Sequence, residues 1–274
     1  MAKFLTQFFM LIALVFGGWL LQGLFVKPSL ERDWSMDQAQ MPRVSFVDKD
    51  QVRIKNVRNA LYRSADDFDM RTYDRTYDLN ALSSAWFVVE PFGSFGAAHT
   101  LMSFGFSNGD YLAISAEIRK EKGESFSPLK GVFRQYEMMY VIADESDVIR
   151  LRTNFRKDVM RLYPIKASKQ KIRAVLVDAL KRAEKLAKVP EFYNTLSNNC
   201  TTSIARHVRR FSDQAVPWWD YRYLLPETVD AISYDLRLID TNLSLEAARS
   251  HFMITSRAQK ITDLDKFSKH IRDF

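Results

Sequence analysis

The chain has 274 residues, 47% of them apolar and 27% charged, a balance that excludes a disordered polypeptide and provides for at least one sizeable core. Its lone cysteine, Cys200, excludes an intramolecular disulfide, and four scattered histidines form no Cys/His cluster, so neither a metal nor any other cofactor is expected. The formal charge of +7 comes without a helix-turn-helix, zinc-finger or aromatic-stacking signature, which argues against nucleic acid and for an anionic neighbour such as a phospholipid face or an envelope polymer.

Residues 4–26 carry no charge, and as a helix they would rise roughly 34 Å at about 1.5 Å per residue, against a hydrocarbon core of about 30 Å. Only Thr6, Gln7 and Gln22 interrupt the apolar run, so the composition predicts an N-terminal transmembrane helix. A cleaved signal peptide is the rival, but the run exceeds the usual h-region of about 7–15 residues and no small-x-small site precedes Lys27. The charge asymmetry is weak, Lys3 and the α-amine against Lys27, Arg32 and two acids, and favours the N-terminus inside. The expected organisation is an anchor over residues 1–26, a linker over 27–45 that lifts the domain off the bilayer, and one domain over 46–274.

Strand signals dominate the first half of that domain, at residues 52–54, 71–77, 86–89, 99–106, 111–118, 136–142 and 160–163. Helices dominate the second. Ser168 can cap a helix whose apolar positions Ile172, Val175, Leu176, Ala179, Leu180 and Ala183 follow the 3.6-residue period, with Pro190 as the stop. Strands first and helices later predict an α+β domain with a mainly antiparallel sheet and packed helices.

A second helix is expected after Asn199, a good N-cap, with Ile204, Ala205, Val208 and Phe211 as its apolar stripe. Cys200 then sits in the first turn, on that stripe, where the helix dipole favours a thiolate and the backbone N–H groups can hold an oxyanion. The same position suits a small buried hydrophobe. A thiolate nucleophile needs an imidazole within hydrogen-bonding reach. His207 lies on the same helix face but roughly 10 Å along the axis, and His251 and His270 lie in charged C-terminal sequence. His99, which opens a strand, is the best base. That strand returns through Ser107-Asn108-Gly109-Asp110 into the strand with Glu117, and the loop type decides what faces the imidazole. A two-residue turn puts Ile118 opposite His99; a three-residue loop with a left-handed Gly109 puts Glu117 there, on the same face, where it can orient the ring. Both registers are open, as is a plain pairing of Glu117 with a basic residue. The aromatic stretch from Trp218 to Pro226 can wall a substrate groove through Trp219 and Tyr221 or simply fill core, and Arg222 can hold a carboxylate or phosphate or tie down a loop. Asn199 can supply an oxyanion amide as well as a cap.

Several separated segments, in one order, carry a resemblance: His99-Thr100, Ser103 to Phe106, Glu117-Ile118-Arg119, Gly131 to Glu137, Arg150 to Thr153 and Tyr193 to Thr202. Together they resemble the bacterial lacto-N-biosidase N-terminal periplasmic domain family, which is itself similar to circularly permuted papain-like thiol enzymes such as the lecithin:retinol acyltransferase group, where histidine precedes cysteine along the chain. The resemblance implies a permuted papain-like fold, a periplasmic domain, Cys200 as nucleophile and His99 as base, with Glu117 a looser correspondence. It implies nothing glycosidase-like. The resulting expectation is a thiol hydrolase or acyltransferase held at the inner membrane, with the bilayer as neighbour and an envelope peptide or lipid as substrate; the alternative is a non-catalytic binding or maturation module with Cys200 packed inside.

Overall fold

A computed structural model describes residues 2–91, 98–217, 220, 222 and 228–274. In chain order its elements are α1 (Ala2–Phe25), β1 (Arg43–Phe46), β2 (Gln51–Arg58), β3 (Leu61–Tyr62), β4 (Phe68–Asp69), β5 (Thr72–Asp78), β6 (Leu82–Pro91), β7 (Ala98–Phe106), β8 (Tyr111–Arg119), α2 (Pro128–Val132), β9 (Glu137–Ala143), α3 (Glu145–Arg150), β10 (Arg161–Pro164), α4 (Lys169–Leu186), α5 (Cys200–Phe211), α6 (Val229–Asp235), α7 (Leu245–His251), α8 (Thr255–Ala258) and α9 (Phe267–His270). The expected α+β organisation is present, strands before helices.

Eight strands form one sheet in the order β1-β2-β9-β8-β7-β6-β10, with β5 added to β2. Every pairing is antiparallel except the single bridge between Arg58 and Ala143 that joins β2 to β9. β7 and β9 are buried along nearly their whole length, which is how strands covered on both faces read: as continuous apolar runs without alternation. On one face, α4 lies over β6 and β9 and α5 over β7 and β8. The amphipathic stripe of α4 is buried as its spacing predicts, from Ile172 to Leu186, and Ser168 caps its first turn by accepting from the Lys171 N–H. The opposite face is covered by α3 and the C-terminal turns; there the Arg272 guanidinium stacks over Tyr111 and Trp86 and forms a buried ion pair with Glu145 at 2.6 Å.

The first two segments depart from expectation. A helix does form at Ala2–Phe25, but among the described residues no helix is long and apolar enough to cross a membrane, and this overturns the transmembrane helix read from composition. Residues 27–45, expected to be a linker that lifts the domain off the bilayer, are docked on the domain instead, the last three as part of β1. Arg32 reaches Glu137 at 2.8 Å, Trp34 is buried under the Arg119 guanidinium, and Arg119 donates to the carbonyls of Gln38 and Ala39. A buried guanidinium needs acceptors, and the C-terminal end of the 3-10 turn Met36–Gln38 offers the carbonyls of Gln38 and Ala39.

Candidate active site

The hairpin between β7 and β8 closes through a three-residue loop: Phe106 N–H donates to the Asp110 carbonyl, Gly109 N–H to the Phe106 carbonyl, and Gly109 takes φ +89°. This left-handed conformation is open to glycine at no steric cost. Paired residue numbers therefore sum as Leu101 with Ser115 and Gly105 with Tyr111, the register that sets Glu117 on the face of His99. His99 Nε2 lies 3.1 Å from Glu117 Oε1 and 2.6 Å from Ser115 Oγ, and Ser115 in turn donates to Glu117 at 2.7 Å. Two acceptors at Nε2 hold the proton there and leave Nδ1 for Cys200, the ring's remaining hydrogen-bonding partner.

Cys200 occupies the first turn of α5, where Asn199 and Thr202 form a reciprocal capping box. The first backbone bond of the helix runs from Ser203 N–H to Asn199 C=O, so the amides of Cys200 and Thr201 precede the intrahelical ladder and remain available to an oxyanion. Burial pushes the thiol up, but the charge and hydrogen bond of His99, with the backbone and hydroxyl of Thr100, bring it net below the ordinary thiol value. For His99, burial opposes the charged ring, yet Glu117 and then Cys200 outweigh it and raise the imidazole. Both shifts favour thiolate beside imidazolium. The side chains of His99 and Glu117 keep 12% and 19% exposure, whereas Cys200 is buried, so the site is approached from the imidazole side.

Three residues that sequence reasoning did not assign complete this environment. Arg152 is buried between two carboxylates, 2.6 Å from Glu90 and 3.0 Å from Glu117; Glu90 pairs with His99 across β6 and β7. Burial works against the ionised form of Glu117, but His99 and Arg152 hold it well below the usual carboxylate range. Ser115 is the third, and its signal was present once the register was known, since it sits two residues from Glu117 on the same face. Arg152 lies in a π-helical stretch, Leu151–Arg156, that continues α3, and π-turns have no sequence period to read. Tyr193 is also close: burial, then the charges of Cys200 and Glu117, raise its phenol.

The remaining candidates fall elsewhere. His207 shares a helix face with Cys200 as expected but bonds Tyr140 at 2.7 Å and Asp178 at 2.6 Å. The helix face carrying Cys200 is a buried polar one with Ser203 and His207, and the stripe of Ile204, Ala205, Val208 and Phe211 beside it is only partly covered. Asn199 has both ends of its amide engaged, accepting from Thr202 N–H and donating to the Thr195 carbonyl at 2.6 Å, the capping alternative. Arg222 is held by Asp220 and Asp235, the loop-tying alternative. Trp219 and Tyr221 lie outside the described residues. Among the described residues no group of His, Cys, Asp or Glu is arranged to hold a metal ion. A cavity of about 600 Å³ runs along the partly covered stripe of α5.

The family model described as the Lnb N-terminal periplasmic domain matches residues 69–227, a span that contains His99, Ser115, Glu117, Arg152 and Cys200. No curated protein and no solved structure matches the chain. With more than half of its 274 residues matched, the chain belongs to the Lnb N-terminal periplasmic domain family.

Proposed function

We propose that this periplasmic domain is a permuted papain-like thiol hydrolase or acyltransferase acting on an amide or ester carbonyl of an envelope peptide or lipid. The observation that carries the reading is the assembly of Cys200, at a helix N-terminus, with an imidazole that Glu117 and Ser115 hold by its other nitrogen. The Cys200 thiolate attacks the carbonyl carbon, and the developing oxyanion meets the N–H groups of the first turn of α5. The imidazolium passes its proton to the departing nitrogen or oxygen as the carbonyl bond to it breaks. His99, now neutral, takes a proton from water or an acceptor alcohol or amine, which attacks the thioester and restores the thiolate. Glu117 keeps its charge throughout and stabilises the imidazolium, with Arg152 preventing the protonation that burial would otherwise impose.

The test needs no substrate: the rate of Cys200 alkylation by iodoacetamide from pH 5 to 9, in the full chain and in His99→Ala. The expected result is labelling that persists well below the ordinary thiol value of about 8.5, slowed roughly tenfold or more near pH 6 by loss of His99. Labelling that is slow at neutral pH and indifferent to His99 would sink the reading and leave a binding module with an inert, packed thiol.

A further inference from the structure

α5 carries three arginines, Arg206, Arg209 and Arg210, at the i, i+3 and i+4 spacing that gathers side chains on one face of a helix. α4 runs antiparallel beside it, because Lys171 meets Asp213 while Asp178, further along α4, meets His207 and Arg210. One more turn of α4 sets Arg182 level with Ser203 and Arg206. The carboxylates described at this seam are already engaged. Glu191 accepts from Arg182 at 2.6 and 2.5 Å and from Lys185 at 3.2 Å, and Asp178 is shared by Arg210 at 2.5 Å and His207 at 2.6 Å. Arg206 is half-buried and makes no hydrogen bond and no ion pair among the described residues. Burial, and then Arg182, bring its guanidinium below the ordinary value, more than Tyr140 and Glu191 raise it. Ser203 Oγ, one turn before Arg206, and Arg182 Nε are also buried without a hydrogen-bond partner, beside the Tyr140 hydroxyl. Like charges one turn apart and buried donors without acceptors both cost stability, and an oxyanion seated between the two helices offsets both.

We propose that the seam between α4 and α5 binds a phosphate group, with Arg206 as its principal donor and Arg182 and Arg210 on either side. The class follows from charge and shape. Arg182, Lys185, Arg206, Arg209 and Arg210 stand against only Glu191 and Asp178, an excess of positive charge that one carboxylate ligand does not balance and a phosphate comes closer to balancing. A tetrahedral phosphate also accepts from guanidiniums on two helices at once, where a planar carboxylate is satisfied by a single fork. The site uses a different face of α5 from the apolar stripe along the cavity and no group of the thiol site, so it stands or falls apart from the thiol reading.

The experiment titrates the full chain, by calorimetry in uncharged detergent, with inorganic phosphate, glycerol 3-phosphate and acetate, each against sodium chloride of equal ionic strength. Phosphate should bind, and Arg206→Gln should weaken it at least about tenfold through loss of a charge-assisted contact. Arg206→Lys keeps the charge without the planar fork and should recover only part of the affinity; it carries the same comparison where the glutamine variant does not fold. Lys260→Ala, which removes one exposed positive charge elsewhere on the surface, should bind as wild type does. Thermal unfolding gives a second readout: phosphate should raise Tm in wild type and in Lys260→Ala but not in Arg206→Gln. Binding of glycerol 3-phosphate that depends on Arg206 supports a phosphate carried on a larger molecule such as a lipid head group, and binding of inorganic phosphate alone supports the free ion; the site stands in either case. No binding of either phosphate, or binding that Arg206→Gln and Lys260→Ala weaken alike, overturns the site. Acetate that binds as tightly as phosphate overturns the phosphate class.

Discussion

Ser115 hydrogen-bonds both the His99 imidazole and the Glu117 carboxylate, so the ring is fixed by two oxygen acceptors at one nitrogen. Removing the charge of Glu117 while keeping its shape separates orientation from electrostatics. In Glu117→Gln the imidazolium loses its counter-charge, and the thiolate loses the partner that stabilises it. The expected outcome is an alkylation profile displaced upward toward an ordinary thiol, with the rate near pH 6 falling about tenfold, one pH unit of displacement corresponding to about 1.4 kcal/mol. An unchanged profile would show that Glu117 only fills space. At this scale the cysteine and histidine were legible: one thiol at an N-cap and a short roll of imidazoles narrow the choice by elimination. Arg152 was not, because a buried guanidinium between two carboxylates 62 and 35 residues away is a property of the folded neighbourhood.

The loop that delivers Cys200 to His99 depends on one glycine in a different element. At Gly131, in α2, an added Cβ would stand 2.3 Å from Thr195 Oγ1 and 3.2 Å from the Tyr193 ring. Thr195 holds the turn before α5 by donating to the Pro128 carbonyl at 2.8 Å. Gly131→Ala should therefore push this segment away from α2, cost about 1–3 kcal/mol of stability as overpacking does, and slow Cys200 labelling without altering any group of the site. Urea unfolding and the alkylation rate measured on the same sample check both halves. The elements themselves were largely readable, since β6 to β9, α4 and α5 stand where period and caps placed them. The docking of residues 27–43 was not readable, because an irregular polar stretch looks alike whether it is solvated or bound to a buried arginine.

Across the whole molecule, the layers bury several carboxylates, and Asp144 at the start of α3 shows the consequence for pH. Burial raises its carboxyl to about 6, more than the hydrogen bond from Tyr73 lowers it. A carboxyl raised in the folded state binds its proton more tightly there than in the unfolded chain, so its contribution to stability is present below about pH 4 and is lost as pH rises through about 6. Asp144→Asn should remove that loss: stability equal to wild type near pH 4, and higher by about 1–3 kcal/mol at neutral pH. Urea midpoints at the two pH values decide it, and a substitution equally destabilising at both would contradict the assignment.

What the chain determined locally were its periods, caps and turn residues: the 3.6-residue stripe of α4, the Asn199 cap, the glycine at 109. Those depend on neighbours within a few positions, and a single sequence displays them. The tertiary structure alone decided the hairpin register, which either of two loops could have satisfied, and the burial of Arg152 between Glu90 and Glu117. It also decided that the apolar face of α5 is only partly covered, touching the core through Ile204, Ala205 and Phe211 while bordering a cavity. Each of these is set by contacts between segments far apart along the chain, where the same residue types serve equally well in another arrangement until the packing chooses among them.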